Sequence, residues 1–219
     1  SDSYRIVVKG RQTHGARPWS GIDPIVVSSQ IVNALQTVVS RQTDITANPA
    51  VVTVGAIKGG IRHNIVPDEV EMVGTIRTFD PQQRATILTN IERLVTHTAA
   101  ASGATATFTL DSGHNPVVRN DPVLTERVLP SLRSVAGAAN VRPVPLVTGA
   151  EDFAFFAEKV PSFFFFVGVT PREQNQLSAA SNHSPLFFVD ESALPMGQRA
   201  FARVALDYLS SANAAPPGP

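Results

Sequence analysis

Two of the three Asp-Pro dipeptides, Asp23-Pro24 and Asp80-Pro81, constrain what this chain can fold into more than any other feature of it. An aspartate that can accept free amide hydrogens, followed by a proline with preset φ and no amide of its own, is a helix start. After the first, Ile31, Leu35 and Val38, with Val27, Val32 and Val39 beside them, form a wide apolar stripe to about Arg41. After the second, Ile87, Leu88, Ile91, Leu94 and Val95 do the same, and Gly103 lies just past the helix end. Strand signals flank both helices: Arg5 to Gly10, Ala50 to Ile57, Glu69 to Phe79 and Ala104 to Leu110. In the third of these, Val70, Met72, Gly74 and Ile76 alternate with Glu71, Val73, Thr75 and Arg77, the pattern of a half-buried strand. The order β-α-β-β-α-β predicts a ferredoxin-like sandwich, with helices on one face of the sheet and edges free to pair with a second copy.

From Asp111 the texture changes, with Gly113, Asn115 and Pro116 reading as a domain crossing. A helix is predicted around Pro122 to Gly137, then a loop rich in Pro and Val, then a short helix entered through Thr148-Gly149-Ala150-Glu151-Asp152-Phe153. The apolar run Phe163 to Val169 predicts a central strand buried on both faces. Asn182-His183-Ser184-Pro185 sits in a polar loop, Glu191 to Leu209 is an amphipathic helix, and the Ala- and Pro-rich tail 210–219 is expected to be disordered. The expected division is therefore 1–113, 114–209 and the tail. The second segment holds too few strands for a self-contained α/β domain, so it is expected to complete a larger sheet begun elsewhere. The chain enters its first strand almost at once, and an upstream part is expected to be missing.

Composition narrows the partners. The 18 basic and 18 acidic residues cancel, which gives no electrostatic reason to expect nucleic acid or an anionic membrane surface. The longest apolar run, Val160 to Val169, is broken by Pro161 and Ser162 and is too short to span a bilayer. Absence of cysteine removes disulfides, thiolate metal sites and cysteine nucleophiles.

The segment Gly10-Arg-Gln-Thr-His-Gly-Ala-Arg-Pro-Trp-Ser-Gly-Ile-Asp23 resembles the aminoacylase and hippurate-hydrolase family of zinc peptidases, nearest the branch of indole-acetyl-amino-acid hydrolases. The likeness continues through Arg62-His63-Asn64-Ile65-Val66-Pro67, Gly74-Thr75-Ile76-Arg77, Gly149-Ala150-Glu151-Asp152-Phe153 and Asn182-His183-Ser184-Pro185. It implies a ferredoxin-like lid that also dimerises, here about 1–113, followed by the C-terminal portion of an α/β catalytic domain. It also implies two divalent metal ions (zinc, manganese or cobalt), a homodimer through the lid, and hydrolysis of the amide bond of N-acyl amino acids or small peptides.

Residue by residue, the resemblance makes His183 a metal ligand, although a loop histidine can equally cap a turn. It gives His14 the role of oxyanion donor in the partner's active site, against the plainer reading of a loop histidine bonded to backbone. Arg77, a charge midway along an alternating strand, and Asn64, in the loop before it, would hold the substrate carboxylate; otherwise they are a surface ion-pair member and a turn residue. Gly149 and Glu151 would lie beside the substrate pocket, or merely open a helix. His63, His97 and His114 match no role in that pattern, although His63 flanks Asn64 and could line the same site.

The resemblance further implies a His-x-Asp motif for metal binding and a Glu-Glu pair for proton acceptance, and neither occurs here. The chain by itself is therefore expected to be inactive. A non-enzymatic dimerisation or ligand-binding module of the same fold is the competing reading.

Overall fold

The computed structural model describes residues 1–213 and divides into two compact units, 1–117 with 148–154, and 118–147 with 155 onward. In the first unit β1 (Asp2–Lys9), β2 (Thr13–His14), α1 (Pro24–Gln42), β3 (Ala50–Gly59), β4 (Ile65–Val66), β5 (Glu69–Thr78), α2 (Pro81–Ala101) and β6 (Thr105–Leu110) follow in order. Four strands make an antiparallel sheet in the order β3-β5-β1-β6, the ferredoxin-like arrangement, and β2 and β4 form a separate small ladder.

The helices start for the expected reason. Asp23 accepts the amides of Ile25 and Val26 at 2.9 and 3.3 Å, and Asp80 accepts that of Gln83 at 2.8 Å. Gly103 then turns the chain after α2 with φ +74°, a left-handed conformation that favours glycine. Val27, Ile31, Leu35 and Val38 of α1 and Ile87, Ile91 and Val95 of α2 meet Tyr4, Ile6 and Val8 of β1 and Val70, Met72 and Ile76 of β5 in one core. Burying each such side chain contributes roughly 1.5–3 kcal/mol. The sheet's other face carries no helix, and Arg5, Glu71, Val73, Thr75, Arg77, Thr107 and Thr109 share it by register.

Two details lock the sheet. Asp2, 3% exposed, receives two hydrogen bonds from the Arg84 guanidinium at 2.9 and 2.6 Å, tying the first turn of α2 to the start of β1. That pairing raises the guanidinium's pKa. Tyr4 reaches across Gly74 of β5, and its hydroxyl donates to the Thr53 carbonyl of β3 at 3.0 Å. A Cβ at Gly74 would collide with both the Thr53 oxygen and the tyrosine ring end, so glycine is required there for space.

In the second unit α3 (Pro122–Ala136) and α5 (Leu194–Asn213) pack together through Val128, Leu132 and Ala200, and the chain passes between units within α4 (Phe153–Ala157). The run Phe163 to Val169 departs from expectation: it is not a strand. Its backbone meets the Asn120 side chain, which accepts the Phe164 amide at 2.7 Å and donates to the Phe164 carbonyl at 2.9 Å, and the Asp190 amide, which reaches the Val169 carbonyl at 2.8 Å. An apolar run reports a preference for burial, whereas a strand also needs a neighbouring backbone, and Phe166 is 53% exposed. Of the tail expected to be disordered, 210–213 continue α5 and 214–219 lie outside the described residues.

Gly74→Ala is expected to lower unfolding free energy by about 3 kcal/mol, at the upper end for overpacking, whereas Tyr4→Phe should cost only about 1 kcal/mol; urea titration of both variants measures the difference. Burial raises the Tyr4 phenol to about 12. The stability this contributes should be complete below the ordinary tyrosine value near 10 and be lost as pH climbs toward 12. Absorbance titration of the phenols should find Tyr4 ionising only near 12.

Candidate functional site

The first candidate region is the excursion that follows β1. Gly10 donates to the Asp68 carbonyl at 2.8 Å, and Arg11 and Ile22 exchange backbone bonds of 2.9 and 3.0 Å, closing a loop over the residues between them. Inside that loop β2 pairs with β4 and sets His14 opposite Ile65, while Gly15 donates to the Asn64 carbonyl at 2.8 Å. His14 and Asn64, far apart in sequence, therefore stand together, both exposed.

The His14 ring is bound locally, with Nδ1 accepting the Ala16 amide at 3.0 Å. The Asn64 side-chain amide makes no hydrogen bond to any described residue, so its donors are available. Beside them lies an open groove of about 540 Å³, lined among others by Gly15, Ile25, Gly60, Ile61, Arg62 and His63. His63, which flanks Asn64 in sequence, is thus part of this region. The available signal was the Gly59-Gly60 pair ending β3, because Gly60 has φ +76° and turns the chain so that Ile61 is 86% exposed.

The second candidate region is at the far end of the sheet. Asp2 pairs with Ile76, so Arg77 adjoins Ser1, near enough for its charge to act on the Ser1 amino group. Arg77 is half-buried on the open face, opposite Val51, with no hydrogen bond or ion pair to a described residue. Ser1 exchanges backbone bonds with Asn115, whose side chain donates to Asp152 at 2.9 Å. The Gly149–Glu151 segment therefore joins the Arg77 end. Glu151 and Gly149 are exposed, and the Glu151 carbonyl accepts the Ala154 amide at 3.1 Å as α4 begins.

From Glu69, beside the His14 loop, to Arg77 is eight residue steps along β5, about 26 Å at a strand rise of ~3.3 Å per residue. Within one copy, an amino-acid-sized molecule cannot touch both ends.

His183 lies in the second unit, exposed, with φ +72°, the one non-glycine residue at positive φ among those described. The Ser184 amide donates to the Ser181 carbonyl at 3.1 Å, which puts His183 at the third position of a tight turn, where type II geometry demands positive φ. Histidine tolerates this at a cost of order 1–3 kcal/mol, a strain that clusters at functional positions. Among the described residues no group of three or more His, Cys, Asp or Glu side chains could hold a metal ion. No described helix is long and apolar enough to cross a membrane.

Residues 1–102, most of the ferredoxin-like unit, match the family model M20_dimer, described as a peptidase dimerisation domain. These residues belong to the M20 peptidase dimerisation family. It is 36% identical over 207 residues to thermostable carboxypeptidase 2 of Saccharolobus solfataricus, covering 94% of this chain and 51% of that protein. It is 34% identical over 212 residues to the N-acetylcysteine deacetylase of Bacillus subtilis, covering 96% and 52%. A solved Bacillus subtilis structure described as a dinuclear metal-binding peptidase of the M20 family superposes with a TM-score of 0.68 at 30% identity, covering 95% of this chain and 50% of the other. The chain spans about half the length of the curated relatives it matches.

Proposed function

We propose that this chain supplies the dimerising lid and one metal-ligating histidine of a metal-dependent amidohydrolase that cleaves the amide bond of N-acyl amino acids or small peptides. The observation that carries the reading is the separation of its candidate binding groups. His14 with Asn64, and Arg77 with the Gly149–Glu151 segment, lie at opposite ends of one strand length. Donors that far apart serve one small substrate only if two copies of the lid contribute, one giving His14 and the other giving Arg77.

Each residue has a job suited to its chemistry. His14 donates a hydrogen bond to the oxygen that becomes negative as the amide carbonyl is attacked, a place where one donor is worth about a hundredfold in rate. Arg77 grips the carboxylate of the departing amino acid through its planar fork, and the Asn64 amide adds a donor. Gly149 and Glu151 border the same pocket, with Glu151 orienting neighbouring groups. His183 offers one imidazole nitrogen to a divalent ion, zinc, manganese or cobalt. One histidine does not make a two-metal centre, which needs several ligands and a bridging carboxylate, so these residues do not hold the pair of ions by themselves.

Two experiments test this reading. This chain assayed with zinc or manganese on N-acyl amino acids should show no turnover; measurable hydrolysis by it would overturn the division of labour. In a catalytically active form of the enzyme, His14→Ala and Arg77→Ala should each lower kcat/KM by about a hundredfold. Mixing the two variants should restore about a quarter of wild-type activity, because half of random dimers are mixed and each has one intact site. No recovery on mixing would show that the two residues do not meet across a dimer. Unchanged activity in both single variants would favour a dimerisation module without a catalytic part.

A further inference from the structure

We infer that the turn following His14 is a positioning device that presets its imidazole as the Nε2–H tautomer, with Gly15 and Ala16 as the positioning residues. Its catalytic consequence rests on the oxyanion reading of His14; the tautomer itself does not.

The argument begins with what an amide can do. The Ala16 N–H only donates, and it meets His14 Nδ1 at 3.0 Å, so that nitrogen must present its lone pair. A neutral ring then carries its single proton on Nε2 and offers one donor there. A loop histidine free of such a bond exchanges between two tautomers, and only one of them is a donor at Nε2.

The turn is held on all sides. Arg17 donates to the His14 carbonyl at 2.7 Å, the Thr13 hydroxyl donates to the Arg17 carbonyl at 3.2 Å, and Ser20 donates to that same carbonyl at 3.0 Å. Gly15 ties this turn to β4 through its 2.8 Å bond to Asn64. An added Cβ at Gly15 would stand 3.0 Å from the Asn64 oxygen and 3.1 Å from its carbonyl carbon, closer than ordinary contact. Gly15 is not among the positive-φ glycines, so the position needs glycine for room rather than for backbone conformation. A side chain there makes the turn or the Asn64 carbonyl give by a few tenths of an ångström, and a shift of the turn carries the Ala16 amide with it. The same contact couples His14 to Asn64, so the two exposed donors keep their spacing as a unit.

The test is a two-bond proton–nitrogen correlation spectrum of the full chain labelled with 15N-histidine, at mildly alkaline pH, with the His14 signal identified by His14→Gln. The expected result is a single Nε2–H tautomer for His14 in the wild-type chain. A dominant Nδ1–H form, or a mixture, overturns the inference. Gly15→Ala should shift His14 toward a tautomer mixture, and in catalytically active enzyme it should lower kcat about tenfold with KM changed less than twofold. An unchanged His14 signal in a folded Gly15→Ala chain removes Gly15 from the device; should that variant not fold, the wild-type spectrum alone decides. If the Nε2–H form is found but His14→Ala leaves kcat intact, the oxyanion reading fails while the tautomer assignment stands.

Discussion

Strand β1 is the constraint on which the first unit depends. It is paired along both edges, to β5 on one side and β6 on the other, and Tyr4, Ile6 and Val8 point into the core with no exposure at all. A slip of one residue in either register would turn these three outward and carry Ser3, Arg5 and Val7 toward the helices. Burying Arg5 away from Glu71, its ion-pair partner on the open face, would cost several kcal/mol. The register therefore has one solution, and the ends of β1 fall at fixed places. Lys9 leads into the loop that carries His14, and Asp2 lies beside the strand position that carries Arg77.

This geometry gives the edges of the unit a meaning beyond packing. One copy presents two sets of candidate binding groups at opposite ends of its sheet. Under the proposed shared site, dimerisation completes the chemistry as well as adding stability, and a lone copy holds two half-sites. The unpartnered Arg77 fits this view. A half-buried guanidinium without an ion pair is uncommon in a settled sheet, and it suits a group whose partner is an incoming carboxylate.

Much of the fold could be read from the residues, for identifiable reasons. The Asp-Pro helix starts are local, and their capping bonds are the ones observed. The alternation along Glu69–Thr78 encodes which face is buried, and burial follows it. The run Phe163 to Val169 departs from the strand expectation because apolarity specifies burial without specifying a neighbour, and Asn120 takes the neighbour's place at Phe164. The nearness of His14 to Asn64 was not legible, since it depends on a two-residue ladder between segments separated by a helix and a strand. Nor was the Ala16 bond to the His14 ring, which is a matter of turn geometry. The groove beside them left one trace, the Gly59-Gly60 pair, whose purpose shows only once Ile61 and His63 are seen to line it.

The length of β5 acts as a ruler. Side chains alternate faces along a strand, so adding or removing one residue would send Arg77 into the core, and only changes by pairs keep it on the open side. The spacing between the two ends can thus be altered only in jumps of about 6.6 Å, twice the rise per residue. Smaller adjustments fall instead to the turns, as at Gly60 just after β3, whose φ of +76° bends the chain in a way that a paired strand forbids.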